Sequence, residues 1–118
     1  MSVVRPKTLV ILAFLVSVAA CDTVTEGSGD PPDASVAVVE NSFLPSSVTI
    51  PVGGTVRWAW SGMGTVQHNV IFDGTPGAPA DCELQSVGVC IRTFPTAGEF
   101  DYVCTLHIGM IGTVTVTP

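Results

Sequence analysis

The chain has 118 residues, with ten Asp and Glu against four Lys and Arg, for a formal net charge of −6. That length accommodates one small domain plus short accessory segments. An acidic balance of this kind excludes nucleic acid as a partner, because nothing would neutralise its phosphates.

Arg5 and Lys7 form a short basic start, and Leu9 to Ala20 is an apolar stretch broken only by Ser17. A bilayer span needs roughly 20 apolar residues, so residues 1–20 read as a signal peptide rather than a transmembrane helix. The stretch ends in Val18-Ala19-Ala20-Cys21. Small residues directly before a cysteine resemble the lipobox of bacterial lipoproteins, which implies cleavage before Cys21 and lipidation of its thiol. An ordinary secretory signal with a cysteine nearby is the competing reading. With the lipid, the mature protein is tethered to a membrane without spanning it, on the periplasmic side of a bacterial membrane or at the cell surface. Residues 21–33 are rich in Gly, Pro, Ser and acid and almost devoid of apolar side chains. Such a segment cannot offset its ordering entropy by burial, so it reads as a flexible spacer. All ten acids lie after Cys21, and of the four bases only Arg57 and Arg92 do, leaving a mature charge of −8.

Residues 34–118 form the single domain. Its hydrophobic period is two. Ser35 to Glu40 is a short Val-rich strand. Val48, Ile50 and Val52 alternate with Thr49 and Pro51, and after Gly53-Gly54 the run Val56, Trp58, Trp60 alternates with Arg57 and Ala59. This pattern predicts a hairpin. Ser61 to Gly64 is a further turn, and His68, Val70 and Phe72 share one face of the next strand. Gly74 to Cys90, with two prolines and three glycines, reads as loop with a short irregular piece, and Ile91 to Phe94 as a strand. Phe100, Tyr102 and Cys104 share one face while Glu99 and Asp101 point to water; Val114 and Val116 alternate with threonines. No segment after the signal has a helical pattern. The expected fold is all-β, a small antiparallel Greek-key β-sandwich.

Parity then places chemistry. The ring of His68 and the sulfur of Cys104 both face inward at strand ends. The seven-residue run Cys104-Thr105-Leu106-His107-Ile108-Gly109-Met110 carries His107 and Met110 over the same point. A buried lone Cys or His is ordinarily structural, but two imidazoles, a thiolate and a thioether converging are the donor set of a blue-copper site. Cys82 and Cys90 remain, with seven residues between them. In an exported protein they read as a disulfide closing a short loop. The rival, a second metal site, has no His nearby and lacks zinc-knuckle spacing.

The runs Phe43-Leu44-Pro45, Val48-Thr49-Ile50, Gly54-Thr55-Val56-Arg57-Trp58, His68-Asn69-Val70 and Gly98 to Val116 resemble the cupredoxins, particularly the small plastocyanin-, amicyanin- and halocyanin-like blue-copper proteins. The resemblance covers about Val36 to Val116, and the Cys-x2-His-x2-Met spacing is similar to the short amicyanin-type loop. It implies a Greek-key sandwich that transfers one electron between Cu(I) and Cu(II). It further implies that His68, Cys104 and His107 are equatorial ligands and Met110 the axial one, with Asn69 tying its strand to the ligand loop near Thr105. The chain departs from the pattern at the Cys82–Cys90 insertion, at Phe100 where Tyr is common, and at Ile108 where Pro is usual.

The expected function is a type 1 blue-copper electron carrier in the cell envelope, a monomer that meets a redox protein such as a cytochrome or oxidase. Its acidity either steers a basic partner or merely keeps the domain soluble. An apolar edge of Leu106, Ile108, Met63 and Ile111 around His107 would serve as electron port. The alternatives are an envelope copper-binding carrier lipoprotein without a redox role, against which the scarcity of Met speaks, and a structural lipoprotein with a vestigial or zinc-holding site. No open coordination position or acid–base pair marks an enzyme; Asp73 and Asp81 are explained by loop solvation.

Overall fold

A computed structural model describes residues 30–62 and 66–118. Signal peptide, Cys21 and Met63 lie outside the described residues. Pro31–Pro118 is one compact unit. Asp33 at the end of the spacer is tied into it: its N–H donates to the Thr55 carbonyl at 3.0 Å and its carboxylate accepts from the Thr55 N–H at 2.8 Å.

Among the described residues nine strands follow in order: β1 Ala34–Val39, β2 Ser42–Leu44, β3 Ser47–Pro51, β4 Thr55–Ser61, β5 His68–Val70, β6 Cys82–Gln85, β7 Val87–Thr93, β8 Gly98–Val103 and β9 Ile111–Thr117. Among the described residues there is no helix. One sheet has the order β2-β1-β4-β7, a second β3-β9-β8, and β5 pairs with β6. The all-β sandwich expected from the period of two is what forms. The sheets are mixed, however, since β1 runs parallel to β4 and β3 parallel to β9.

Two expectations about connectivity are corrected. β3 and β4 are not a hairpin; they lie in different sheets. Their alternation is real, with Ile50 buried on one and Val56, Trp58 and Trp60 on the other, but the two rows face one core from opposite sides. The Gly53-Gly54 turn is bonded elsewhere: the Gly53 N–H donates to the Phe94 carbonyl at 2.7 Å, and the Phe94 N–H to the Gly54 carbonyl at 2.9 Å. Gly54 is required there, because a Cβ would come within 2.8 Å of the Pro51 carbonyl and 2.9 Å of the Asp33 carboxylate. The segment up to Cys90 is likewise not a loop throughout. It contains β6 and the start of β7, and β7 pairs with β4 from Thr55↔Thr93 to Ser61↔Val87. Val87, Val89 and Ile91 are exposed and Cys90 is buried, so the strand lacks the apolar-in, polar-out contrast from which strands are read.

The core is aromatic at its centre. Trp58 meets Tyr102 edge-on with ring centroids 5.3 Å apart, Phe43 meets Tyr102 at 4.7 Å, and Phe72 packs on Tyr102 and Phe94 at 5.8 Å each. Edge-to-face pairs of this kind contribute about 0.5–1.5 kcal/mol beyond their buried area. Between the sheets this cluster fixes the spacing on which the strand ends, and the site at them, depend.

Candidate metal centre

β8 and β9 are antiparallel neighbours in register from Gly98↔Val116 to Val103↔Ile111. The residues left between them, Cys104 to Met110, are therefore a hairpin loop. Its neck is closed by the Cys104 N–H donating to the Met110 carbonyl at 3.0 Å, and inside it the Met110 N–H donates to the His107 carbonyl at 3.1 Å. Gly109 turns with φ +86°, in the left-handed region that glycine enters without a steric cost. The inward parity of Phe100 and Tyr102 continues to Cys104, which is buried, as is the Met110 side chain. His107 is half-buried, while Leu106, Ile108 and Ile111 stand exposed around the same loop.

His68 comes from the other side. It is buried at the start of β5, and its backbone carbonyl accepts the Trp60 indole N–H at 3.0 Å. Its Nδ1 lies 3.8 Å from Cys104 Sγ; His107 Nδ1 lies 3.4 Å from the same sulfur. The imidazole centroids are 4.5 Å apart, and the donor atoms of His68, Cys104 and His107 all lie within 4.8 Å of one another. With metal–donor lengths of about 2.0 Å to nitrogen and about 2.3 Å to sulfur, a trigonal plane has N···S edges of about 3.7 Å. The two observed edges bracket that value, so one ion fits among these three donors. Burial, with the neighbouring His107, holds the His68 imidazole below its ordinary pKa, Glu40 opposing in part. The ring is thus neutral at pH 7 and offers its lone pair.

Asn69 joins the two pieces. Its Nδ2 donates to Thr105 Oγ1 and its Oδ1 accepts the Thr105 N–H, both at 2.8 Å. Such bonds fix the orientation of ligand-bearing segments. Trp60 was legible in the sequence only as an inward residue; its bond to the His68 carbonyl carries no local sequence signal. Cys82 and Cys90 form a disulfide with Cα atoms 6.2 Å apart, as their pairing in the sequence suggested. Asp81 Oδ1 accepts the Phe72 N–H at 2.8 Å, a bond to the backbone just past β5.

Residues 34–117 match the family model for copper-binding proteins of the plastocyanin/azurin family. The chain belongs to that family. This cupredoxin is 33% identical over 84 residues to amicyanin-alpha of Methylorubrum extorquens, covering 69% of each chain. Among solved structures it superposes on amicyanin from Paracoccus versutus with a TM-score of 0.61 and 33% identity, over 75% of this chain and 85% of that one. A copper-containing nitrite reductase from Thermus scotoductus also matches, at a TM-score of 0.63 and 27% identity, over 82% of this chain but 25% of the reductase. The same fold thus also occurs as one part of a larger enzyme. The soft sulfur and imidazole donors of this cupredoxin suit the copper for which its family is named.

Proposed function

We propose that the chain is a one-electron carrier of the cell envelope in which His68, Cys104, His107 and Met110 would hold copper. The observation that carries this is the convergence of Cys104 Sγ with two imidazole Nδ1 atoms, at 3.4 and 3.8 Å, at a buried point beside the buried Met110. Copper bound there supplies a Cu(I)/Cu(II) couple.

The protein's part is to hold the donors and keep water out. His68 on β5 and the loop from Cys104 to Met110 are fixed by backbone hydrogen bonds and by the Asn69–Thr105 pair. Donors held in one arrangement need little rearrangement when charge changes, which lowers the barrier to electron transfer. Four donors leave no position open for a substrate, and this supports a carrier over an enzyme. The half-buried His107, with exposed Leu106 and Ile108 on either side of it in the loop and exposed Ile111 at the start of β9, offers an apolar port where a partner can approach closely. The charge of −8 after Cys21 favours a basic redox protein such as a cytochrome or oxidase.

Export is supported by the formed disulfide and by the signal-like residues 1–20, and a lipid on Cys21 would keep the domain at the membrane. Cys21→Ala is expected to move the protein from the membrane to the soluble fraction; unchanged partitioning would remove the anchor.

The deciding experiment is a visible spectrum of the purified protein with Cu(II), followed by ascorbate. An intense blue band that bleaches on reduction, and that is absent in Cys104→Ala, supports a redox copper–thiolate site. A colourless wild type, or a band that persists in Cys104→Ala, overturns it.

A further inference from the structure

The strand bearing His68 has little of the fold to rest on. β5 has three residues, and its strand partner is β6. Past its end, one bridge joins Ile71 to Val103, with N–H···O distances of 2.9 and 3.0 Å. Among the described residues β6 in turn pairs as a strand with β5 alone and belongs to neither large sheet. A two-stranded unit of this size is not stable by itself.

Apart from the Trp60 indole bond to the His68 carbonyl, what holds it is the segment Ala80-Asp81-Cys82, gripped from β7. Cys82 is covalently joined to Cys90 of β7. From the same strand Arg92 donates through Nε to the Ala80 carbonyl and through Nη2 to the Asp81 carbonyl, both at 2.8 Å. The grip passes on to β5: Cys82 is the register partner of Val70, and Asp81 Oδ1 accepts the Phe72 N–H at 2.8 Å. β7 itself is anchored along β4, with Cys90 opposite the fully buried Trp58.

Cys104, His107 and Met110 need no such grip. They sit on one hairpin loop closed by its own backbone bonds. Only His68 arrives from a separate piece of backbone, so its distance to the loop is where two independently held parts must agree. Asn69 and Thr105 set that distance from the loop side. We infer that the Cys82–Cys90 disulfide, Arg92 and Asp81 are positioning residues that hold segment 80–82 as a clamp on β5 and so fix His68 against Cys104. The inference rests on His68 being a copper ligand.

The test uses the double variant Cys82→Ala/Cys90→Ala, which leaves no unpaired thiol in the clamp, together with Arg92→Met, which keeps the disulfide. In the metal-free protein, amide hydrogen exchange at Ile71 and Phe72 is expected to speed up about tenfold or more, while the β8–β9 amides change only with global stability. In the copper-loaded protein, release to a chelator is expected to be about tenfold faster, with shifted visible and EPR spectra. Arg92→Met is expected to do the same to a smaller degree, and Arg92→Lys to restore part of it. If the double variant fails to fold, Arg92→Met carries the test. A lower melting temperature with unchanged spectra and copper release, and with exchange at Ile71 and Phe72 no faster than at β8–β9, would make the clamp a mere stability staple and overturn the inference. A wild type without a blue band would overturn the electron-carrier function instead, and the exchange of the metal-free protein would still decide whether the clamp holds β5.

Discussion

Asn69 and Thr105, 36 residues apart in sequence, share two hydrogen bonds of 2.8 Å: the amide donates to the hydroxyl and accepts the backbone N–H. Asn69 is buried beside His68, and Thr105 follows Cys104. One side chain thus spans the two backbone segments that bring the donors together. Asn69→Leu would leave the Thr105 N–H without its acceptor, at a cost of about 1–3 kcal/mol. The expected outcome is a lower denaturation midpoint together with a shifted blue band. A variant with wild-type spectrum and potential would show that the loop holds its shape unaided.

Gly112 faces the Tyr102 ring across the β8–β9 ladder, and a Cβ there would run into that ring. Tyr102 cannot retreat, since Phe43, Trp58 and Phe72 pack around it. Gly112→Ala is therefore expected to destabilise the domain by on the order of 1–3 kcal/mol, the usual range for overpacking. Urea unfolding of the metal-free protein checks this, and a loss below about 0.5 kcal/mol would mean that the sheet yields easily at this point.

Tyr102 is the single tyrosine in the chain, and burial pushes its hydroxyl up to about 12. The Trp58 indole opposes this in part, yet neither polar group makes a hydrogen bond of regular geometry. Because the folded pKa is raised, the unfolded chain loses this proton first. Stability is then full below pH of about 10 and falls as pH rises toward 12, by on the order of 2 kcal/mol in all. An ultraviolet phenolate titration should show one late transition that coincides with or follows loss of fold. Titration near 10 with the fold intact would contradict the burial.

Ile108 is fully exposed, and Leu106 and Ile111 are more than half exposed. Leu106→Ser/Ile108→Ser should leave stability within about 0.5 kcal/mol for each change and the blue band in place. Electron self-exchange should fall by about an order of magnitude, because apolar anchors of an encounter surface are lost. An unchanged rate would place the port elsewhere on the surface.

Much of this was legible in the chain because the signals are local. Valine richness marked β1, period-two alternation marked β4, β8 and β9 as half-buried strands, and parity at Phe100 and Tyr102 placed the Cys104 sulfur inside. β6 and the first half of β7 were missed, since their side chains show no apolar contrast; they are strands because β5 and β4 supply partners from elsewhere in the chain. The supposed hairpin of β3 and β4 failed for a related reason. Alternation reports which way a residue faces and is silent on which strand lies beside it.

The sequence by itself determined the all-β class and the four soft donors, and it placed three of them within seven residues, because strand parity and short spacing leave those donors little freedom. Only the tertiary structure decided which strands pair in parallel, that the loop of Cys104, His107 and Met110 closes between Val103 and Ile111, and that His68 comes to lie against Cys104. Those relationships join residues tens of positions apart. They exist only once both sheets have closed on the aromatic core, where burial of Trp58, Phe72 and Tyr102 fixes the spacing between them.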